Sequence, residues 1–236
     1  MRTLFGGSAY IYSPAQIDDK FSYTVLLLHC EGNDGGTTFT DDSNAGTHHG
    51  TAVGNAHTEK DVKRFGSTSL QCDGTGDYLS FTDDVNWDIG KPEAGYGNEA
   101  FTLELFVNIT DLTRTENVIL GYGDGSGTFS YQLRSYYSGG TGYIEWKWWN
   151  GSTYITISDT HANLGVSAAT WYHIAISYDE SITEFYVDGT RVNTSTEEYQ
   201  AAAGVDTLHI GGSDSGGSFQ GYIDEVRLKI AIPPRY

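Results

Sequence analysis

Basic residues are scarce. Thirteen Lys and Arg stand against 31 Asp and Glu, for a formal net charge of −18, whereas a nucleic-acid partner requires a basic footprint. The acidic balance suits solubility, a salty or extracellular setting, or divalent cations. Proline (4 residues) and methionine (1 residue) are also few. No segment of about 10–15 residues repeats apolar side chains at helical spacing, which excludes a helical bundle. Only "TEEYQAAAG" (196–204) has the composition for a helical turn or two. The longest apolar run, "TVLLLHC", is too short to cross a bilayer. The first twenty residues hold no apolar stretch of signal-peptide length, so the expectation is a soluble chain without an ordinary signal. Cysteine is limited to Cys30 and Cys72, too few to set the redox compartment. Each is in register with apolar neighbours and is expected in the core, the two as free thiols or as one disulfide.

Glycine (30 residues) and aromatics (14%) are plentiful, the profile of an all-β chain with many tight turns. Residues 1–21 show no periodicity and are taken as an N-terminal arm. From residue 22 short strands recur between turn signals. "FTLELFVNI" alternates, with Leu103, Leu105, Val107 and Ile109 on one side and Thr102, Glu104 and Asn108 on the other. Leu79 and Phe81 likewise share a face. The run of such strands predicts one antiparallel two-sheet sandwich over 22–229, with 230–236 as a short tail.

One stretch concentrates aromatic residues: "RSYYSGGTGYIEWKWWNGSTYITI". Alternation puts Ile144, Trp146 and Trp148 on one face and Tyr143, Glu145, Lys147 and Trp149 on the other. With the first set in the core, the second is an exposed stripe of rings and charges. Such a stripe suits stacking against a sugar face, or a subunit interface.

Four stretches carry a family resemblance: "LLLHCEGNDGGTTFTDDSNAGTHHGTAVGNA", "RFGSTSLQCDGTGDYLSF", "WYHIAISYDESITEFYVDGTRV" and "LHIGGSDSGGSFQGYIDEVRL". In this order they resemble the laminin G-like, concanavalin A-like jelly-roll domains, and the opening and tail are similar to the type found in tailed-phage structural proteins. The resemblance implies a jelly-roll sandwich and a binding or structural module. The favoured setting is the surface of a virion, with glycan adhesion or packing against virion proteins and sister subunits in a homo-oligomer. The alternative is a secreted Ca²⁺-dependent carbohydrate-binding module of a cell.

Relatives with this sandwich often hold Ca²⁺ on the rim, and the matching loops here are "GYGDGSGTF" with Asp124 and "GGSDSGGSF" with Asp214. A second oxygen-rich spot holds Asp41, Asp42 and Asn44, with Asp224 as an added ligand. His48 and His49 lack a third ligand at zinc spacing and are expected on a surface loop. No enzyme is expected. Enzymes of this fold carry paired carboxylates on one strand face, and "YIEWKWW" offers Glu145 alone. In "GYIDEVRL", Asp224 is expected inward with Val226 and Leu228, pinning the "DDSNAGTHHG" loop. Glu225 and Arg227 are expected to form a surface ion pair.

Overall fold

The structure is a computed structural model in which residues 23–43, 48–90, 100–124, 127–200, 207–213 and 217–231 are described. The arm (1–21), Asn44, Asp214 and the end of the tail lie outside the described residues. Two eight-stranded antiparallel sheets face each other. The first contains β1 (Thr24–Leu28), β4 (His57–Glu59), β5 (Ser69–Asp73), β7 (Ala100–Ile109), β12 (Trp171–Tyr178), β13 (Thr183–Val187), β14 (Thr190–Ser195) and β16 (Gln220–Ala231). The second contains β2 (Thr38–Phe39), β3 (Gly50–Val53), β6 (Tyr78–Phe81), β8 (Asn117–Gly123), β9 (Phe129–Ser138), β10 (Thr141–Trp149), β11 (Tyr154–Thr160) and β15 (Thr207–Ile210). The strand orders are β14-β13-β12-β7-β16-β5-β4, with β1 also on β16, and β11-β10-β9-β8-β15-β6-β3-β2. This is the predicted jelly-roll sandwich.

Period-2 alternation does what it predicts. Leu103, Leu105, Val107 and Ile109 of β7 pack in the core with Leu26, Leu28, Leu79 and Phe81. Cys30 and Cys72 are buried there as free thiols, which resolves their alternative. Burial raises the thiol pKa of both, so neither is a ready nucleophile. Buried rings find polar partners: Trp146 Nε1 donates to the Tyr199 hydroxyl at 2.9 Å and Trp148 Nε1 to the Glu198 carbonyl at 3.1 Å.

The described residues hold one α-helical turn, α1 (His161–Leu164), and a 3₁₀ turn at Val85–Trp87. The expected helical turn at 196–204 does not form over its described part, 196–200. Tyr199 there is 1% exposed and stacks on Trp148 at 5.0 Å. Closing the core with one large ring outweighs the weak helix propensity of the segment.

β16 organises the first sheet. Along one edge it pairs with β7 throughout. Along the other it pairs first with β5, over Gln220–Ile223, and then with β1, over Val226–Lys229. The register slips between Asp224 and Arg227, and Glu225 takes φ 52. A bulge therefore sits where β16 exchanges one neighbour for the other. The added residue reverses the in–out alternation, so Ile223 and Val226 both reach the core.

Candidate functional site

The aromatic stripe forms as the alternation predicts. Ile144, Trp146 and Trp148 are fully buried, and Tyr143, Glu145, Lys147 and Trp149 stand on the outer face of β10. The hairpin from β9 turns through Gly139 and Gly140, with φ 58 and 87. Only a left-handed two-residue turn matches the strand twist there, which is why two glycines are needed. That turn fixes the register: Tyr143 opposes Tyr136, Glu145 opposes Arg134 and Lys147 opposes Gln132, while across β11 Trp149 opposes Tyr154.

The rungs are stacked and paired. Tyr136 and Tyr143 stack at 5.0 Å, and Phe129 and Tyr154 at 4.4 Å, with Trp149 edge-on to Tyr154 at 5.1 Å. Lys147 Nζ lies 4.7 Å from the Tyr154 ring centre. Glu145, expected as an exposed carboxylate, is 4% exposed. Its Oε1 accepts from Arg134 Nε at 2.9 Å and pairs with the guanidinium NH2 at 2.8 Å, and Arg134 also reaches Glu116 at 3.1 Å. Burial, with the Arg134 charge adding to it, lowers the Lys147 pKa. Burial and then the Glu145 charge raise that of Tyr136. The Gln132 Oε1 atom beneath this ladder is buried without a hydrogen-bond partner. Alternation alone would have placed Gln132 on this face, opposite Lys147. The two aromatic ends are six strand steps apart, roughly 20 Å at ~3.4 Å per residue.

The aspartates do not gather. Asp124 closes its own turn, donating its N–H to the Thr128 carbonyl at 3.0 Å and accepting the Thr128 N–H on Oδ1 at 3.2 Å. Its expected partner Asp214 lies outside the described residues. Asp42 is exposed, its N–H bound to the Leu27 carbonyl. Asp41 is the buried member of that pair, accepting from the N–H groups of Leu27, Ser43 and His48 and from the Ser43 hydroxyl. Its oxygens are occupied by donors, and Asp224 is tied elsewhere. Among the described residues no three His, Cys, Asp or Glu side chains gather to hold a metal. Asp42 and Asp224 thus serve separate segments, and the Ca²⁺ expectation for Asp41, Asp42, Asn44 and Asp224 rests in part on Asn44, which lies outside the described residues.

Asp224 is buried, as expected, but among the described residues its partners lie outside the "DDSNAGTHHG" loop. Its Oδ2 accepts the Arg64 and Phe65 N–H groups at 2.9 and 3.0 Å. The bulge is the reason. Asp224 opposes Phe106 on the outer face, where the chain entering β5 covers it, and does not share a face with Val226. Burial raises its pKa to about 6, against the pull of the two amides. The expected Glu225–Arg227 pair is also corrected, since Glu225 bonds His29 at 2.8 Å and Arg227 pairs with Glu104. His48 is not a surface residue either. Its side chain is 9% exposed, lies 3.2 Å from Asp84, and packs edge-on against Trp87 at 4.7 Å.

Comparison with known proteins agrees with this architecture. The family model described as "Concanavalin A-like lectin/glucanases superfamily" matches residues 73–230. No curated protein sequence matches the chain. Among solved structures, the botulinum neurotoxin serotype D binding domain is similar with a TM-score of 0.63 at 12% identity, over 90% of this chain and 49% of that one. A binding domain of botulinum neurotoxin DC in complex with SialylT gives 0.62 at 10% identity, over 89% and 48%. The present chain thus spans about half of these toxin domains. Domain 4 of a GH43 extracellular arabinanase from Geobacillus stearothermophilus, in complex with arabinotriose, gives 0.58 at 15% identity, over 87% and 91%. At such identities the likeness is one of fold.

Proposed function

Because the chain belongs to the concanavalin A-like lectin/glucanase superfamily, we propose that it is a carbohydrate-binding module without catalytic activity, which takes an extended oligosaccharide across the outer face of β9–β10–β11. The observation that carries this reading is the ladder itself. Flat rings stand at both ends, Tyr136 with Tyr143 and Trp149 with Tyr154, and fixed polar groups lie between them. Rings supply apolar contact to sugar faces, and Arg134 and Lys147 supply directed donors to hydroxyls. The arabinotriose bound by one similarly folded domain supports the same reading.

The charges on this face argue against hydrolysis. Cleaving a glycosidic bond takes two carboxylates across it, one protonated as acid. Here Glu145 and Glu116 both pair with one guanidinium, so neither carboxylate stands free on this face to flank a glycosidic bond. Retention on a polysaccharide affinity gel, lost in Trp149→Ala, tests the binding reading. Release of reducing sugar that disappears in Glu145→Gln would overturn the non-catalytic one.

For the setting we propose a virion surface, supported by the motif resemblance to tailed-phage structural domains. Antibody labelling of purified particles tests it, and absence of label from every particle would refute it.

A further inference from the structure

The opposite face of the molecule carries a depression of about 630 Å³ that the stripe does not touch. Its apolar wall is the edge-to-face pair Phe65–Phe106, with centroids 5.1 Å apart. Phe65 is 46% exposed, an unusual position for a ring of that size. Two imidazole–carboxylate pairs flank the rings. His29 Nδ1 lies 2.8 Å from Glu225, and His173 Nε2 lies 3.2 Å from Glu104, which also holds Arg227. The His173 ring in turn packs on Phe106 at 4.9 Å. Each carboxylate fixes one ring nitrogen and so orients the other.

The bulge builds this arrangement. Glu225 takes φ 52 at a position where bulges favour glycine. A strained backbone at a residue whose side chain lines the depression is a mark of a functional site. The Glu225 carboxylate meets His29, and Glu104 lines the same depression.

We propose that this depression is a second carbohydrate site, separate from the stripe, that takes a single pyranose residue. An aromatic platform beside planar, pre-oriented polar groups is what one sugar ring requires, and the volume falls in the range of small-ligand pockets. The sugar's apolar face lies against Phe65 and Phe106, and its hydroxyls bond the two imidazoles and the carboxylates. The proposal does not depend on the stripe binding anything.

The test is an NMR titration of the full chain, labelled with ¹³C in its Phe rings. The probes are methyl β-D-glucopyranoside, methyl β-D-galactopyranoside and methyl α-D-mannopyranoside. At least one is expected to shift the Phe65 and Phe106 resonances. Glu225→Gly should weaken that binding at least about tenfold, the loss expected on removing a charged hydrogen-bond partner. The same variant should melt no lower than the parent, because glycine suits φ 52. Should it fail to fold, Phe106→Leu takes its place with the same expected loss of binding. Trp149→Ala should leave the titration unchanged. The proposal is overturned if none of the three sugars moves these rings, or if Glu225→Gly or its replacement binds as the parent does. Loss of the response in Trp149→Ala also overturns it, because it assigns the binding to the stripe. A response to Nα-acetyl-lysine amide in place of the sugars overturns it too and assigns the depression to a basic partner.

Discussion

The two outer faces of the sandwich are built in opposite ways. The stripe on the second sheet comes from one meander, β9–β10–β11, in which Arg134 and Glu145 meet only 11 positions apart. The depression on the first sheet gathers residues as distant as His29 and Glu225, 196 positions apart. On the local face the rings stack on each other and the buried carboxylate is clamped, with Gln132 Oε1 left as a buried atom without a partner. The long-range face keeps an open hollow and a strained residue. A face fixed by two hairpins tolerates few errors of register and packs tightly. A face assembled from strand junctions leaves room where neighbours change, and that room is available to a ligand.

The largest expected effect separates the inner and outer sides of one strand. Trp146→Ala removes a fully buried ring and should cost about 3–5 kcal/mol of stability in urea unfolding. Trp149→Ala, three residues along and half-buried on the outer face, should cost less than about 1.5 kcal/mol, the scale of a single aromatic contact, and abolish retention on a polysaccharide gel. If the two variants were equally destabilised, the stripe would be core and the contrast between the faces would fail.

Next comes the clamp. Arg134→Met leaves the Glu145 carboxylate, with its side chain 5% exposed, without its cation, at a cost of about 3 kcal/mol. Adding Glu145→Gln should recover most of that loss, because the buried charge is gone. A double variant no more stable than Arg134→Met would show that Arg134 acts through packing.

Asp224 sharpens the comparison through pH. Its folded pKa of about 6 lies above the ordinary 3.8. The protonated form is therefore favoured by folding. Its contribution is fully present below about pH 4 and is lost as pH rises through about 6. The two values correspond to about 3 kcal/mol. Urea midpoints taken from pH 4 to 7 should fall over this window, and Asp224→Asn should remove that part of the slope. A flat profile in the parent would mean that the carboxylate is not desolvated.

How much of this was readable in the sequence follows from the same contrast. Period-2 alternation gave the faces of β7 and β10, because each is a regular strand with one side in the core. It failed at Asp224. One inserted residue reverses every side-chain direction beyond it, and nothing in "GYIDEVRL" marks the bulge, since the left-handed position holds Glu225 where a glycine would have signalled it. Glu145 was legible in direction but not in burial, because its clamp comes from a neighbouring strand. His48 was misplaced for a similar reason: Asp84 and Trp87, which enclose it, lie 36 and 39 positions away along the chain. The depression was invisible, as its residues become neighbours only when β1 and β5 meet on β16.

The smallest expected effect lies within the depression. Glu104 accepts from His173 and pairs with Arg227, and these contacts lower its pKa, the His173 bond most. A lowered carboxyl works in the opposite sense to Asp224. Its contribution is present above the ordinary value of 4.5 and is lost as pH falls through the folded value. Arg227 is half-exposed, so Arg227→Ala should cost less than about 1 kcal/mol near neutrality and still less in high salt. As pH falls through the folded value the difference between parent and variant should shrink further, as Glu104 takes up its proton. Two carboxylates on neighbouring strands of one face should thus give opposite pH slopes: the one covered by the 64–65 backbone is stabilised by acid, and the one facing His173 and Arg227 by base. Should Arg227→Ala instead weaken the protein most at low pH, the pairing of Glu104 would not be electrostatic, and the depression would lose one of the two polar walls that a sugar needs.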